Sequence, residues 1–332
     1  LAAFALFLWR IVDVLLLVFG TSLVALVLHA IADPIARRSG IGQRSSLAIA
    51  VMLVVSLIAT AGWLFGREIG AQTSELLDRL PRAWESIRAY LREYEIGRVL
   101  LSGLQGTAAN LGACAAKLPK PAAAVSGGAL QLLIVAFGGV YLAVNPHVYR
   151  SGFLKLFPEA ARDHVGDVVD SSAMALRLWL RGQLITMGIV GVMTGLGLWL
   201  AGVPAPLALG LLAALLEFVP YIGPIAAAVP GLLLALTIGP EVLLYALIVY
   251  VAVQQLEGNL VLPMVQRQVL KLPPALVIFS VVALGLTFGT LGWILAAPLT
   301  VLLMVVVGKL YVRETLSTPA RIPGEPTPGA RD

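Results

Sequence analysis

Polar side chains interrupt the longest apolar stretches of this chain at two places. In EFVPYIGP (217–224), Glu217 is the only charged residue between Arg181 and Glu241, and helix breakers follow it at Pro220, Gly223 and Pro224. Proline removes a backbone donor and glycine permits a tight turn, so the stretch predicts an unwound elbow with free carbonyl groups. A carboxylate in hydrocarbon is costly unless it is paired, protonated or hydrated. Transporters build solute and ion sites from such elbows; the alternative is a plain turn with Glu217 at the membrane surface.

The second place is VQQLEGNLVLP (253–263), which gathers one carboxylate and three amides before a proline: Glu257, Gln254, Gln255, Asn259 and Pro263. Gln254 and Glu257 are three residues apart and therefore share a helix face. Such a set of polar groups suits binding of a hard cation, relay of a proton, or hydrogen bonding to a small polyol. Hydrogen bonding between neighbouring membrane helices is the alternative.

A third group, RLWLRGQ (177–183), puts Arg181 and Gln183 at the head of an apolar stretch. Arg181 is a candidate ion-pair partner for Glu217 or Glu257, and otherwise an anchor at the cytoplasmic surface. The predicted pathway for a solute or ion therefore comprises these residues: Arg181, Gln183, Glu217, Pro220, Gly223, Pro224, Gln254, Glu257, Asn259 and Pro263.

Other kinds of chemistry lack the residues that they need. The chain contains no phosphate-binding GxxxxGK[ST], no HExxH and no GxSxG motif. One cysteine and three separated histidines form no metal-ligand set. The basic residues are scattered and no aromatic platform accompanies them, which argues against nucleic acid as a partner. The sequence thus predicts no enzyme, no cofactor and no metal site.

The elements that position these groups must lie in lipid. The chain has 332 residues, of which 59% are hydrophobic and 12% charged, with a mean hydropathy of +0.93. A soluble domain carries about a quarter charged residues, and no soluble core can hide so much apolar surface. The sequence predicts a polytopic all-α membrane protein with about eight membrane segments, including broken or re-entrant hairpins, and an extracytoplasmic helical insertion.

The apolar stretches and the charges of the loops divide the chain into successive units. Leu1–Leu8 and Val14–Ala30 are interpreted as separate spans, the first of them truncated. The break at 201–206 predicts a full span to about Leu200 followed by a shorter helix to Glu217, and the break at 285–292 predicts a hairpin of two short helices. The stretches 206–240 and 272–308 are each expected to dip into the membrane and return, and the arginine-rich loops predict a cytoplasmic C-terminus. The units are N-terminal transmembrane helices (1–66), an extracytoplasmic amphipathic segment (67–120), a transmembrane helix (121–145), cytoplasmic interfacial helices (146–181), a C-terminal core of broken helices (182–312) and a disordered cytoplasmic tail (313–332).

Two spacings predict helix packing rather than chemistry. Within 67–98, apolar residues recur at steps of three and four, which is typical of a coiled-coil-like seam. That seam contacts a neighbouring subunit, or else packs on its own membrane domain or on lipid. The glycine pairs Gly191/Gly195 and Gly285/Gly289 have the GxxxG spacing of closely packed helices.

The ordered stretches LLEFVPYIGPIAA, VQQLEGNLVLPMVQRQVLKLPP and FGTLGWILAAPL, with ADPIARRSG and RGQ before them, resemble the autoinducer-2 exporter (AI-2E) family of bacterial membrane proteins. The resemblance covers about residues 1–312. It implies about eight membrane segments, an inner-membrane location and a homo-oligomer, with a pentamer as the candidate assembly. It also implies export of the quorum-sensing signal autoinducer-2 and, in some members, exchange of sodium or lithium for protons.

The family pattern carries over to these residues: Pro220, Gly223, Pro224, Gln254, Glu257, Asn259 and Pro263. The chain departs from it at Glu217, where an amide such as Asn is commoner. We therefore expect a secondary transporter that exports a small polar solute under an ion gradient, with Glu257 binding the coupling ion or proton and Gln254 and Asn259 binding the solute. The alternatives are a sodium(lithium)/proton antiporter and, in another class, a membrane scaffold that recruits a partner through its seam.

Overall fold

The computed structural model describes residues 2–60, 62–63, 121–266 and 273–315, and every regular element within these ranges is helical. Five of the helices in this part of the chain are long and apolar enough to cross a membrane. The protein is therefore an integral membrane protein, and its described part is entirely helical apart from turns and connections. The predicted seam at 67–98 and most of the predicted C-terminal tail lie outside the described residues.

The N-terminal helices pack against one another through small residues. They are α1 (Ala2–Ser39), α2 (Gln43–Thr60) and α3 (Pro121–Val144). A side chain at Gly139 of α3 would collide with Val24 of α1, so the glycine permits the close approach. His29 of α1 also contacts the carbonyl oxygen of Ala143, with 3.0 Å between Nε2 and O.

The structure corrects the prediction of two N-terminal spans. Leu1–Leu8 and Val14–Ala30 were expected to be separate, but α1 continues without a break from Ala2 to Ser39. The connecting stretch contains Arg10 and Asp13 but no proline or glycine. A charged side chain changes the solvent that a helix prefers, but it does not remove a backbone hydrogen bond as proline does. The helix therefore continues through Arg10 and Asp13.

The longest helix, α5 (Glu159–Leu200), also runs through a predicted boundary. It follows the short helix α4 (Pro146–Leu154) and continues past Arg181, where interfacial helices were expected to give way to a span. At 1.5 Å per residue it is about 63 Å long, roughly twice the hydrocarbon core of a bilayer. Its N-terminal part therefore extends beyond the membrane, where Arg150 of α4 binds Asp170 through two hydrogen bonds of 2.9 and 2.6 Å.

Glycines bring α5 against the next helix, α6 (Pro206–Leu216). A Cβ atom at Gly210 would lie 2.6 Å from the carbonyl oxygen of Gly191 and 2.8 Å from the Cα atom of Gly195. No larger residue fits between the two backbones at this separation. The close packing predicted from the Gly191/Gly195 spacing is thus confirmed.

The predicted elbow at 217–224 is present. The chain leaves α6 at Leu216 and turns back into α7 (Ile222–Ile238), which α8 (Pro240–Leu256) follows. The two sides of the elbow are so close that a Cβ atom on Gly223 would lie 1.9 Å from the carbonyl oxygen of Leu216. The sequence predicted free carbonyl groups in this elbow, but those of Leu216, Glu217 and Val219 accept hydrogen bonds, so this part of the prediction is wrong.

The C-terminal helix α10 (Pro274–Val306) also folds back, within the predicted break at 285–292. Its two arms meet at Gly289, whose φ of 60° and ψ of −136° interrupt the helix. The two arms lie side by side next to this reversal. A Cβ atom placed on Gly292 would lie only 1.9 Å from the carbonyl oxygen of Leu284. α10 is therefore a helical hairpin, followed by a π-helical segment (Val307–Thr315).

The main hydrophobic core joins α1, α5 and α10, and the elbow packs against it. Trp179 of α5 is buried there and meets the ring of Phe218 edge to face, with 5.8 Å between centroids. The buried Lys309 holds the π-helical segment against α5, since its ammonium group binds the carboxylate of Asp167 and, at 3.3 Å, the carbonyl oxygen of Asp167. α5 thus contacts most of the elements that surround the elbow.

The reversal at Gly289 can be tested by substitution. We expect Gly289→Ala to lower the free energy of unfolding by about 1–3 kcal/mol, because a side chain is strained at this backbone conformation. Gly188→Ala is the matched control, since Gly188 lies within α5 with no neighbouring atom within 4 Å of an added Cβ. Thermal unfolding in detergent compares the variants, and equal melting temperatures for Gly289→Ala and the wild type would contradict the reversal.

Candidate functional site

The two polar stretches singled out in the sequence meet beside α5. Glu217 ends α6 and is 3% exposed, and Glu257 follows α8 and is 7% exposed. The side chains of the two residues lie close enough to interact with each other. Two neighbouring carboxyl groups can share a hydrogen bond only when at least one of them carries a proton.

Two glutamine side chains hold the carboxyl pair in position. Nε2 of Gln183, on α5, donates to the backbone carbonyl oxygen of Glu217 at 2.7 Å. That carbonyl group lies at the end of α6, where helical carbonyl groups lack an intrahelical partner. Nε2 of Gln254, on α8, donates to Oε2 of Glu257 at 2.8 Å. Gln183 thereby joins α5 to the elbow, whereas the bond of Gln254 orients Glu257 from within the same helical turn.

Glu257 opens a π-helical turn (Glu257–Val261), which continues into the short helix α9 (Leu262–Gln266). Pro263 lies just beyond this turn and has no N–H group for the carbonyl of Asn259, four residues earlier. A missing α-helical bond at this place is consistent with the wider turn. Single π-helical turns are frequent at functional sites.

A cavity of about 320 Å³ extends from the carboxyl pair between α5, α6, α7 and α8. Glu217 and Gln254 line it, together with Pro224 of α7, whereas Glu257 lies behind Gln254 and is not among the lining residues. The rest of the lining is almost entirely aliphatic. The hydroxyl group of Tyr250 also lines the cavity and donates to the carbonyl oxygen of Ala227 at 3.3 Å.

The remaining predicted residues take other places. Pro220 and Gly223 form the elbow itself, and Tyr221 between them has a φ of 67°, which is rare for a residue with a side chain. Asn259 is exposed and donates to Oε1 of Gln255 at 3.3 Å. Arg181 is exposed, and the ion pairs of the described part of the chain do not join it to either glutamate.

Sequence reasoning missed Tyr250 as a lining residue. Tyr250, Gln254 and Glu257 follow one another at steps of four and three, the helical period, so the polar face of α8 begins one turn earlier than expected. Within the ranges that the structure describes, no three or more histidine, cysteine, aspartate or glutamate residues are grouped as metal ligands. The site therefore presents one carboxyl group and one amide to an apolar cavity, those of Glu217 and Gln254, while Glu257 is bonded to Gln254 outside the lining.

Comparison with known proteins places the chain among membrane transporters. The sequence model described as AI-2E family transporter matches residues 1–311. "Putative transport protein YueF" of Bacillus subtilis (strain 168) is 28% identical over 300 residues, which are 84% of this chain and 80% of that protein. "Putative transport protein MT0215" of Mycobacterium tuberculosis is 26% identical over 83% of this chain and 78% of its own length. A shorter match, "Putative transport protein YrrI" of Bacillus subtilis (strain 168), is 39% identical over 38% of this chain and 36% of that protein.

The contact between Gln183 and the elbow can be tested. We expect Gln183→Ala to lower the free energy of unfolding by about 1–3 kcal/mol, because it leaves a carbonyl oxygen in the protein interior without its donor. Gln255→Ala is the control, since Gln255 is exposed and bonds only within its own helical turn in the described contacts. Denaturant or thermal unfolding in detergent measures both, and equal effects of the two substitutions would contradict the role of Gln183.

Proposed function

The chain belongs to the AI-2E family of transporters, and we propose that it is a secondary transporter that exports a small solute with at least one polar group, driven by an ion gradient. The observation that carries the proposal is the buried pair of Glu217 and Glu257, of which Glu217 lines a cavity. Glu217 lies where α6 gives way to the elbow, and Glu257 opens a π-helical turn. Irregular backbone at membrane depth occurs where the chain is buried in protein or lines a cavity.

The carboxyl pair is the coupling element of this mechanism. Two buried carboxylates this close repel each other strongly, so a proton or a monovalent cation must accompany the pair. Loading and release of that ion on opposite sides of the membrane links its gradient to the solute. Glu257 holds the ion together with Glu217, and Gln254 orients Glu257 and presents its amide to the solute.

Three further residues shape the backbone around the site. Pro220 and Gly223 keep the elbow unwound, and Pro263 keeps the turn after α8 wide. Asn259, which we first expected to bind the solute, is on the exposed side of that turn and is not a cavity residue. We assign the solute contacts to Glu217 and Gln254 instead.

We also propose how the transporter lies in the membrane and assembles. The elbow between α6 and α7 and the hairpin of α10 dip into the membrane and return, which gives about eight membrane segments. By family resemblance the protein is a homo-oligomer in the bacterial inner membrane, with its C-terminus in the cytoplasm, and autoinducer-2 is the reference solute. The fold-back at Gly289 and the short length of α6 support the hairpins.

A flux assay tests the coupling role of Glu257. The purified protein is reconstituted in liposomes that contain a pH-sensitive dye, and small polar solutes, including autoinducer-2, are added with and without proton and sodium gradients. We expect solute-dependent proton movement by the wild type and its loss to background in Glu257→Gln, because an amide cannot exchange a proton. Glu241→Gln is the control, since Glu241 is exposed at the opposite end of α8. Unchanged flux in folded, inserted Glu257→Gln would refute the assignment.

A sodium(lithium)/proton antiporter is the second candidate, favoured by the two carboxyl groups at the site. Glu217 stands where the family pattern more often has an amide, and the added carboxyl group suits exchange of one cation for another. In the same liposomes, this function predicts proton movement on addition of sodium or lithium without any organic solute. Proton movement that requires the organic solute would rule it out.

A further inference from the structure

The walls of the cavity are unsuited to a solute with many polar groups. Away from the carboxyl end, its lining consists of side chains such as Val190, Ala213, Leu232 and Val253. Each polar group that is buried without a partner costs about 1–3 kcal/mol. A polyol would bury several hydroxyl groups against these walls, whereas a solute with one polar end would bury none. The cavity therefore selects a largely apolar body with a single polar end.

The cavity opens toward the lipid between α7 and α8. Ile225 and Val229, one turn apart on α7, line it and are 70% and 52% exposed. Leu247 and Val251, one turn apart on α8, face them across the opening and are also exposed. A mouth with aliphatic side chains on both edges of two membrane helices faces hydrocarbon rather than water. A solute that dissolves in the bilayer reaches the cavity directly.

The residues that line the cavity include Glu217 but no lysine or arginine. Within the described chain, neither glutamate forms an ion pair. Gln183 and Gln254, which hydrogen-bond to them, and the polar lining residues Thr194 and Tyr250 are all neutral. Arg181, two residues from Gln183, is exposed and makes no such contact with them. A buried carboxylate without a counter-ion is unfavourable. An ammonium group supplies the missing positive charge and donates hydrogen bonds to carboxylate oxygens.

We propose that the cavity binds an organic monocation, an amine or quaternary ammonium compound with a compact apolar body, which enters between α7 and α8 and places its charge against Glu217. The exchange is electroneutral. With both carboxyl groups protonated the empty site carries no charge, and binding of the cation releases one proton to water and leaves one proton shared by Glu217 and Glu257. The inference rests on the transport function proposed above for its direction of movement, and it replaces autoinducer-2 with an organic cation as the solute.

Binding is measured with a cation that has no proton of its own. Benzyltrimethylammonium is titrated into the full chain in phosphatidylcholine nanodiscs by calorimetry, in two buffers of different ionisation enthalpy, with empty nanodiscs as blank. We expect one cation bound and close to one proton released per chain. Benzyl alcohol and benzoate, which keep the ring but not the positive charge, should bind at least about tenfold more weakly, a difference of roughly 1.4 kcal/mol.

Three substitutions locate the binding. Ala228→Phe fills the cavity, because Ala228 lines it, and should abolish binding. Ala226→Phe is its matched control, since Ala226 is exposed on the same helix and does not line the cavity. Glu217→Gln should weaken binding of the cation and remove the proton release, while leaving the weak binding of benzyl alcohol unchanged.

The outcomes separate this inference from the transport function. Equal binding of the cation and the alcohol, wild-type binding by Ala228→Phe, or absence of any cation binding would overturn the inference. If solute-coupled proton flux then persists in liposomes, the transport function stands without it. Cation binding with proton release, in a protein that moves no solute or cation in liposomes, supports the site and overturns the transport function.

Discussion

Hydrocarbon offers no hydrogen-bonding partner to a carbonyl group or a carboxylate, and every interruption of a membrane helix must meet this constraint inside the protein. At the end of α6, Gln183 supplies the donor that the carbonyl oxygen of Glu217 lacks. The carboxyl groups of Glu217 and Glu257 lie close together, and Gln254 donates a hydrogen bond to Glu257. The site forms where the elbow and the π-helical turn after α8 both pack against α5.

The parts of the fold that depend on local backbone chemistry were predictable from the sequence. The elbow and the reversal at Gly289 follow from proline and glycine, and the contact of α5 with α6 follows from the Gly191/Gly195 spacing. The continuity of α1 and α5 was not predictable in the same way. Hydropathy indicates which solvent a segment prefers. A helix longer than the membrane, such as α5, changes in composition along its length without a break in its structure.

The site was likewise predictable only in part. The polar side chains and the helical spacing of Gln254 and Glu257 placed them in the predicted pathway together with the elbow. Their contacts within the site could not be predicted, because residues forty positions apart meet only through tertiary packing. Gln183 binds a backbone carbonyl group, which no side-chain pattern encodes, and Arg181 lies outside although its charge suited a carboxylate. The apolar walls of the cavity arise from four helices, and no single stretch of sequence reveals them.

The length of α5 has a mechanical consequence. Near its N-terminal end it is clamped at Asp167 and Asp170, which bind Lys309 and Arg150, and several turns further on it carries Gln183 against the elbow. A continuous helix is stiff over this distance, so the contacts of Asp167 and Asp170 and the contact of Gln183 with the elbow belong to one rigid element. A displacement of the N-terminal part of α5 would therefore also displace Gln183 and the elbow that it binds.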